Sequence, residues 1–210
     1  MSHKIIKYIY NNSCIISPWH NIPYKDNDSY TFVCEIPKLT KRKIEMCKEL
    51  ENNPLVHDKK NDKLRYYSQP IYWNYGFIPQ TWENPNLNKY DDIGGDNDPI
   101  DIVEIGEKKL KIGSTYQVKI LGCLGLIDNN EIDWKIIAIN TEDINCKKYK
   151  DIEDVPEHIQ SGIKEWFRWY KYPSDNIINK YLDDEKINNK QFTEKIIEEC
   201  HIEWKNKYLK

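Results

Sequence analysis

Apolar and polar residues alternate through the first two thirds of the chain, and a two-residue period predicts strands. KIIKYIY and SCIIS flank Asn11 and Asn12, a turn pair suited to a hairpin. YTFVCEIP is a β-rich run closed by Pro37, and LRYY follows a turn at Asn61 and Asp62. PIDIVEI, STYQVKILGCLGLI and IDWKIIAI complete the set, the last two joined by Asp128-Asn129-Asn130-Glu131. KRKIEMCKEL fits either period. Read as a strand, which we adopt, it puts Lys43 and Glu45 on one face and Ile44 and Met46 on the other.

The last third changes to a helical period. Asp154 as N-cap, with Glu157 in the capping-box position, predicts a helix start. Ile159, Ile163, Phe167 and Tyr170 form its apolar stripe, and Pro173 its stop. A second helix is predicted from about Gln191 to Tyr208, with Phe192, Ile196, Cys200, Trp204 and Tyr208 on its buried side. No linker, repeat or low-complexity stretch intervenes. The expectation is one α+β domain over 1–210: a small β-barrel or strongly curved sheet with two main helices packed on it.

Composition narrows the class. The 210 residues suffice for one sizeable core, and 39% hydrophobic with 31% charged residues is a globular balance leaning polar. A net charge of −3 argues against a general nucleic-acid binder but not against a local basic pocket. The six cysteines form no C-x-x-C pair, so free thiols in a reducing compartment are expected. Scattered histidines argue against zinc. The opening MSHKIIKYIYNN has no leader-peptide pattern, and no apolar run is long enough to span a membrane. A cytoplasmic protein without a membrane partner is expected.

Candidate chemistry centres on Gly95-Asp96-Asn97-Asp98-Pro99-Ile100-Asp101. In an extended segment Asp96 and Asp98 share a side, and a kink at Pro99 can bring Asp101 round to join them. Three carboxylates that close are costly unless a cation neutralises them, and Mg²⁺ or Ca²⁺ is the natural occupant. A solvated acidic turn is the competing reading. An EF-hand loop is excluded, because Asp101 stands where that loop needs glycine and no helix precedes it. A second acidic group lies around the Asp128–Glu131 turn, where Asp133 and Lys135 share one face and Trp134 takes the other. Lys43, Arg65, Lys135 and Lys171 are scattered cations, interleaved with Glu35 and Glu45, and Tyr75 and Tyr170 can add hydroxyls. No phosphate-cradling glycine loop occurs, so a phosphate ligand would need side-chain cations and metals.

GDNDPID, preceded by NYGFIPQTWENP and followed by VEIGE, resembles the signature region of the soluble (family I) inorganic pyrophosphatases. CEIPKLTKRKIE, KLRY, DWKIIAIN, DIEDVPE and EWFRWYKYP extend the likeness over nearly the whole chain, nearest to the eukaryotic form. The resemblance implies an OB-like five-stranded β-barrel with flanking helices and hydrolysis of pyrophosphate to two phosphates with three or four Mg²⁺ ions, Mn²⁺ being a possible substitute. Carried over by motif, Asp96, Asp101 and Asp133 hold the first metal. Asp101 also holds the second, and Asp98 is the general base on a water bridging the two. Asp128 and Asp133 bind an ion arriving with substrate, Glu45 helps with the remaining ion, and Glu35 lines the acidic wall. Lys43, Arg65, Lys135, Tyr75, Tyr170 and Lys171 match the phosphate contacts, with Lys43, Arg65 and Tyr75 also counted as catalytic.

The chain departs from the family in two places. Ile71 stands where a family tyrosine lies, and the adjacent Tyr72 is a candidate replacement. The resemblance implies a homodimer, although Leu39 occupies the position of an interface tryptophan. The competing class is a barrel that binds single-stranded nucleic acid through Tyr66, Tyr67, Tyr72, Trp73, Tyr75 and Trp82. Strand packing explains those aromatics as well, and a pocket walled by aspartates repels a phosphate backbone, so no nucleic-acid partner is expected. An inactive relative is disfavoured because the expected acidic set is complete.

Overall fold

Six strands position the residues of interest in a computed structural model that describes residues 3–90 and 92–209. Met1, Ser2, Asp91 and Lys210, which the expected 1–210 domain includes, lie outside the described residues. The strands are β1 (Ser29–Ile36), β2 (Ile44–Met46), β3 (Asn74–Phe77), β4 (Asp101–Glu104), β5 (Thr115–Asp128) and β6 (Glu131–Asn140). β5 and β6 form the hairpin predicted at Asp128–Glu131. β6 runs parallel to β4, with Lys135 opposite Asp101. β4 pairs antiparallel with β3, and β3 with β1. β1 returns to β5, with Val33 opposite Thr115, so the pairings close into a ring of five strands. The architecture is α+β, with a sheet-rich core and two main helices.

β6 shows why its sequence is nearly continuous in apolar residues. Ile137 and Ile139 join one core cluster, while Ile132, Trp134, Ile136 and Ala138 join the other. A strand buried on both faces needs no polar alternation. β3 was not expected as a strand, because Asn-Tyr-Gly-Phe is short, fully buried and lacks a period. Gly76 is required there: a Cβ would come within 2.0 Å of the Val33 carbonyl oxygen on β1.

Local predictions need four corrections. KIIKYIY divides, because Lys4–Lys7 pairs with Leu55–His57 while Ile9–Asn11 makes the hairpin with Cys14–Ile16. The strand in KRKIEMCKEL breaks at Lys43, giving Thr40–Arg42 and β2. β2 buries Ile44 and Met46 as its alternation requires. Asp154 is not the N-cap of the first long helix. Asp151 caps a 3-10 turn, Ile152–Asp154, and the Asp154 side chain closes that capping box. Helix α1 (Glu157–Trp169) then starts behind Pro156 without a side-chain cap. Finally, Pro173 does not stop α1. The proline lies in the first turn of a short helix, α2 (Tyr172–Asp175), where its missing N–H costs nothing.

Helix α3 (Lys190–Tyr208) agrees with its predicted span, and the Asn189 side chain caps it by accepting the Phe192 N–H at 3.0 Å. Ile196, Ile197 and Cys200 pack with Trp134 and Ile136, while Ile163, Trp166 and Phe167 of α1 pack with Tyr75 and Ile137. Burying each large apolar side chain contributes about 1.5–3 kcal/mol. The end of α1 is thereby fixed against β3 and β6, which sets where Tyr170 and Lys171 emerge.

Candidate active site

A cavity of about 520 Å³ opens beside the ring, and Asp96, Asp98, Asp101, Asp128, Asp133, Glu35 and Glu45 line it. Lys43, Arg65, Lys135, Lys171, Tyr75 and Tyr170 line it too, so every candidate site residue borders one space. The elements explain the convergence. β1 delivers Glu35, β2 and the residue before it deliver Glu45 and Lys43, and β3 delivers Tyr75. The Gly95–Pro99 loop presents Asp96 and Asp98, β4 begins with Asp101, and the β5–β6 hairpin supplies Asp128, Asp133 and Lys135. The end of α1 adds Tyr170 and Lys171.

Lys135 is the centre of the charge pattern. Its side chain is 3% exposed, and Nζ lies 2.5 Å from Asp101 Oδ2 and also pairs with Asp133 Oδ2. Nζ donates to the Tyr75 hydroxyl oxygen at 2.9 Å, and that hydroxyl donates to Asp101 Oδ2. Burial opposes the Lys135 charge, but Asp101 and Asp133 outweigh it and hold the ammonium well above the usual lysine range. Burial lifts the Asp133 carboxyl to about 7 despite Lys135 beside it. Burial, then Asp133, Asp98 and Asp101, raise Asp96, and burial with Asp101 raises Glu35. Both tyrosines stay protonated, since burial first, with Asp101 for Tyr75 and Asp128 for Tyr170, pushes their hydroxyls well above the ordinary value.

A second group of charges pairs cations with carboxylates. Lys43 Nζ lies 2.6 Å from Glu45 Oε2 and 3.2 Å from Asp58 Oδ2, and Arg65 Nη1 lies 2.6 Å from the same Asp58 oxygen. Burial opposes the Arg65 charge, and Asp58 reverses that and holds it above the ordinary range. Lys171 pairs with Asp128, which also accepts from the Tyr170 hydroxyl at 3.1 Å.

Sequence reasoning missed four residues here. Asp58 braces Lys43 and Arg65, and Lys48 Nζ lies 2.5 Å from Asp98 Oδ1. Tyr67 also lines the cavity. Glu83, in the loop after Trp82, has one oxygen that lies with one each of Asp96 and Asp133 inside a 4.8 Å group. Asp58 could have been placed opposite Arg65 from the turn at Asn61 and Asp62, whereas no spacing signal announces the other three. The replacement suggested at the Ile71 position is not in place. Ile71 is fully buried, whereas Tyr72 is 50% exposed, lies outside the cavity lining, and packs edge-on against Trp73. Ile71 is the last residue of the strand Tyr66–Ile71, and Tyr72 lies in the bend that follows it.

The donor set fits a hard divalent cation. Every candidate ligand is a carboxylate oxygen, and Glu83 Oε2 and Asp133 Oδ1 are buried without a hydrogen-bond partner. Buried carboxylates left so need a proton or a metal.

Comparison with known proteins shows the family. The family model described as inorganic pyrophosphatase matches residues 32–205. Soluble inorganic pyrophosphatase 6, chloroplastic, of Arabidopsis thaliana is 43% identical over 90% of this chain and 65% of its own length. The chain thus spans about two thirds of that relative. The inorganic pyrophosphatase of Schistosoma japonicum superposes with a TM-score of 0.91 at 41% identity, covering 95% of this chain and 75% of the other. A truncated vacuolar soluble pyrophosphatase of Trypanosoma cruzi, solved in complex with PPi, superposes at 0.89 with 40% identity, covering 92% and 80%.

Proposed function

This chain belongs to the inorganic pyrophosphatase family, and we propose that it hydrolyses pyrophosphate to two phosphates in the cavity bounded by Asp98 and Lys135. The observation that carries the reading is the convergence of many carboxylates and four cationic side chains on one cavity. A phosphate anhydride is a polyanion with no apolar part, and such a ligand is held by cations placed opposite metal-binding carboxylates. Water adds to one phosphorus as the bridging P–O bond breaks, and the proton released from the water goes to a carboxylate.

The residue roles follow from the chain's own groups. Lys43, Arg65 and Lys171 bind the terminal phosphate oxygens through charge-assisted hydrogen bonds, releasing Glu45, Asp58 and Asp128 from their present pairs. Tyr75 and Tyr170 donate as neutral hydroxyls. Lys135 keeps Asp101 and Asp133 together and faces substrate from the acidic side. Asp98 accepts the proton at Oδ2, because Lys48 already engages Oδ1. The family is metal-dependent, and Asp96, Asp101 and Asp133, with Asp128, Glu45 and Glu35, are the residues that would hold its cations. Bound divalent ions supply neutralising charge and an acidified water. Mg²⁺ as that ion, three or four per site, with Mn²⁺ as substitute, belongs to this proposal.

Further parts of the reading rest on the resemblance. The ring of five strands is the OB-like barrel, and the chain is one pyrophosphatase domain. Homodimerisation is proposed in the same way, with Leu39 at 60% exposure on the surface that would be covered. Cytoplasmic placement rests on six free thiols, which suit a reducing compartment. Relatives named chloroplastic and vacuolar show that the family also works elsewhere. No helix among the described residues is long and apolar enough to cross a membrane.

Phosphate release from pyrophosphate by the purified protein, with chelator and then with added Mg²⁺, tests the reading. Fast release only with the cation is expected. No release across a range of Mg²⁺ and Mn²⁺ would remove the function.

A further inference from the structure

Glu83 has no part in the chemistry above, yet it lies at the acidic wall. The residue is 3% exposed and borders a small cavity behind the wall rather than the large one in front. Its backbone is tied to the acidic loop: the Glu83 N–H donates to the Asp98 carbonyl and the Asn97 N–H to the Glu83 carbonyl, both at 2.9 Å. Gly95 permits this docking, since a Cβ there would lie 2.6 Å from the Glu83 carbonyl carbon. Oε1 accepts the Trp134 N–H at 2.9 Å, which anchors the carboxylate to β6. Oε2 is buried with no partner.

The surroundings of this carboxylate are selective. One oxygen each of Glu83, Asp96 and Asp133 lies within 4.8 Å of the other two, and no other such trio occurs among the described residues. Asp133 Oδ1 is a second buried orphan. Lys135 does not resolve the excess charge, because it reaches Asp133 and Asp101 only, and among the described residues neither Glu83 nor Asp96 has an ion pair. Both hydrogen-bonded oxygens, on Glu83 and Asp133, are held by protein groups while the orphans remain available. Three carboxylates that each bring an oxygen to that spacing, two of them carrying a buried unpartnered oxygen, form a preorganised hard-cation site.

We propose that Glu83 is a cation ligand, acting with Asp96 and Asp133 to hold one divalent ion at the inner side of the wall. This rests on reading the cavity as a cation-dependent centre, and it adds a buried ligand to the set of Asp96, Asp101 and Asp133 implied by the resemblance. Asp101 is less free for the inner position, because Lys135 and Tyr75 share its Oδ2.

The test uses the full chain, stripped with chelator, and Mn²⁺ alone as probe, followed by calorimetry and electron paramagnetic resonance. Glu83→Gln keeps an oxygen for the Trp134 N–H at nearly constant volume. It should weaken the tightest Mn²⁺ site by about 10- to 100-fold. Unchanged Mn²⁺ affinity in a folded Glu83→Gln protein overturns the proposal and leaves Glu83 an anchor for β6. If the variant does not fold, Mn²⁺-soaked crystals of the wild type decide by anomalous scattering. A peak bonded to Glu83 Oε2 supports the ligand role, and one held by Asp96, Asp101 and Asp133 with Glu83 out of reach refutes it. Phosphate release by the wild type separates the two readings. Hydrolysis with Glu83-independent Mn²⁺ binding sinks this inference alone, whereas Glu83-dependent binding without hydrolysis sinks the proposed activity alone.

Discussion

Replacing Lys135 by methionine should destabilise the cation-free protein far more than loss of a surface charge would. Lys135 is buried, and its Nζ serves Asp101, Asp133 and the Tyr75 hydroxyl together. Removing one partner of a buried ion pair strands the other charge, at a cost of about 3–5 kcal/mol. Asp133 can escape part of that cost by taking a proton. Its folded carboxyl already titrates at about 7, above an ordinary value of 3.8, so the folded state binds that proton more tightly than the unfolded chain does. Stability from this group is full below the unfolded value and is lost as pH rises towards 7. Without Lys135 the folded carboxyl climbs further, so the loss continues above 7 in the variant but not in the wild type. The difference should therefore be largest near pH 8 and shrink towards pH 5. Urea unfolding followed by tryptophan fluorescence in chelator measures it, and Mg²⁺ should restore part of the deficit by supplying the missing positive charge. A thermal midpoint lower by roughly 10 °C at pH 8 is the matching expectation. Equal stability of variant and wild type at pH 8 in chelator would refute the argument that Lys135 holds the acidic wall together.

Three other substitutions probe separate parts of the site. Asp98→Asn should keep the fold and cut turnover by about 10²–10⁴, because an amide cannot accept the proton; near wild-type phosphate release would take that role from Asp98. Asp101→Ala should act through cation affinity, so its activity should rise again with excess Mg²⁺, and an unchanged Mg²⁺ dependence would remove Asp101 as a ligand. Gly95→Ala should cost about 1–3 kcal/mol, since the new methyl meets Glu83 backbone atoms that cannot move alone. It should also weaken Mn²⁺ binding by displacing Asp96, and full stability with normal binding would show that the loop is not held as described.

Sequence by itself determined what depends on a short window. The two-residue period separates Lys43 and Glu45 from Ile44 and Met46, and Asp133 and Lys135 from Trp134, and each set faces as its alternation requires. The four-residue spacing places Ile196, Cys200 and Trp204 on the buried side of α3, although Tyr208, predicted there too, is exposed at the helix end. The Asn-rich turns marked the hairpins, because turn chemistry is local. The capping box read at Asp154 and Glu157 is not there: Asp151 and Asp154 cap a 3-10 turn instead, and the long helix starts behind Pro156 without a side-chain cap.

Tertiary structure decided the rest. β3 carries no period because both its faces are buried, so only its pairing with β1 and β4 makes it a strand. Tyr72 faces away because it lies in the bend after the strand that ends at Ile71, where its ring packs edge-on against Trp73. Asp58 meets Arg65 across the local hairpin at Asn61 and Asp62, whereas Lys48 and Glu83 acquire meaning only when loop packing brings them to Asp98 and Asp96. Charge compensation is a property of groups within a few ångströms, and it is decided by packing between segments that no short window contains. A lone acid such as Glu83 therefore reads as loop polarity in the sequence and becomes a buried, half-satisfied carboxylate only when Gly95 lets the acidic loop close over it.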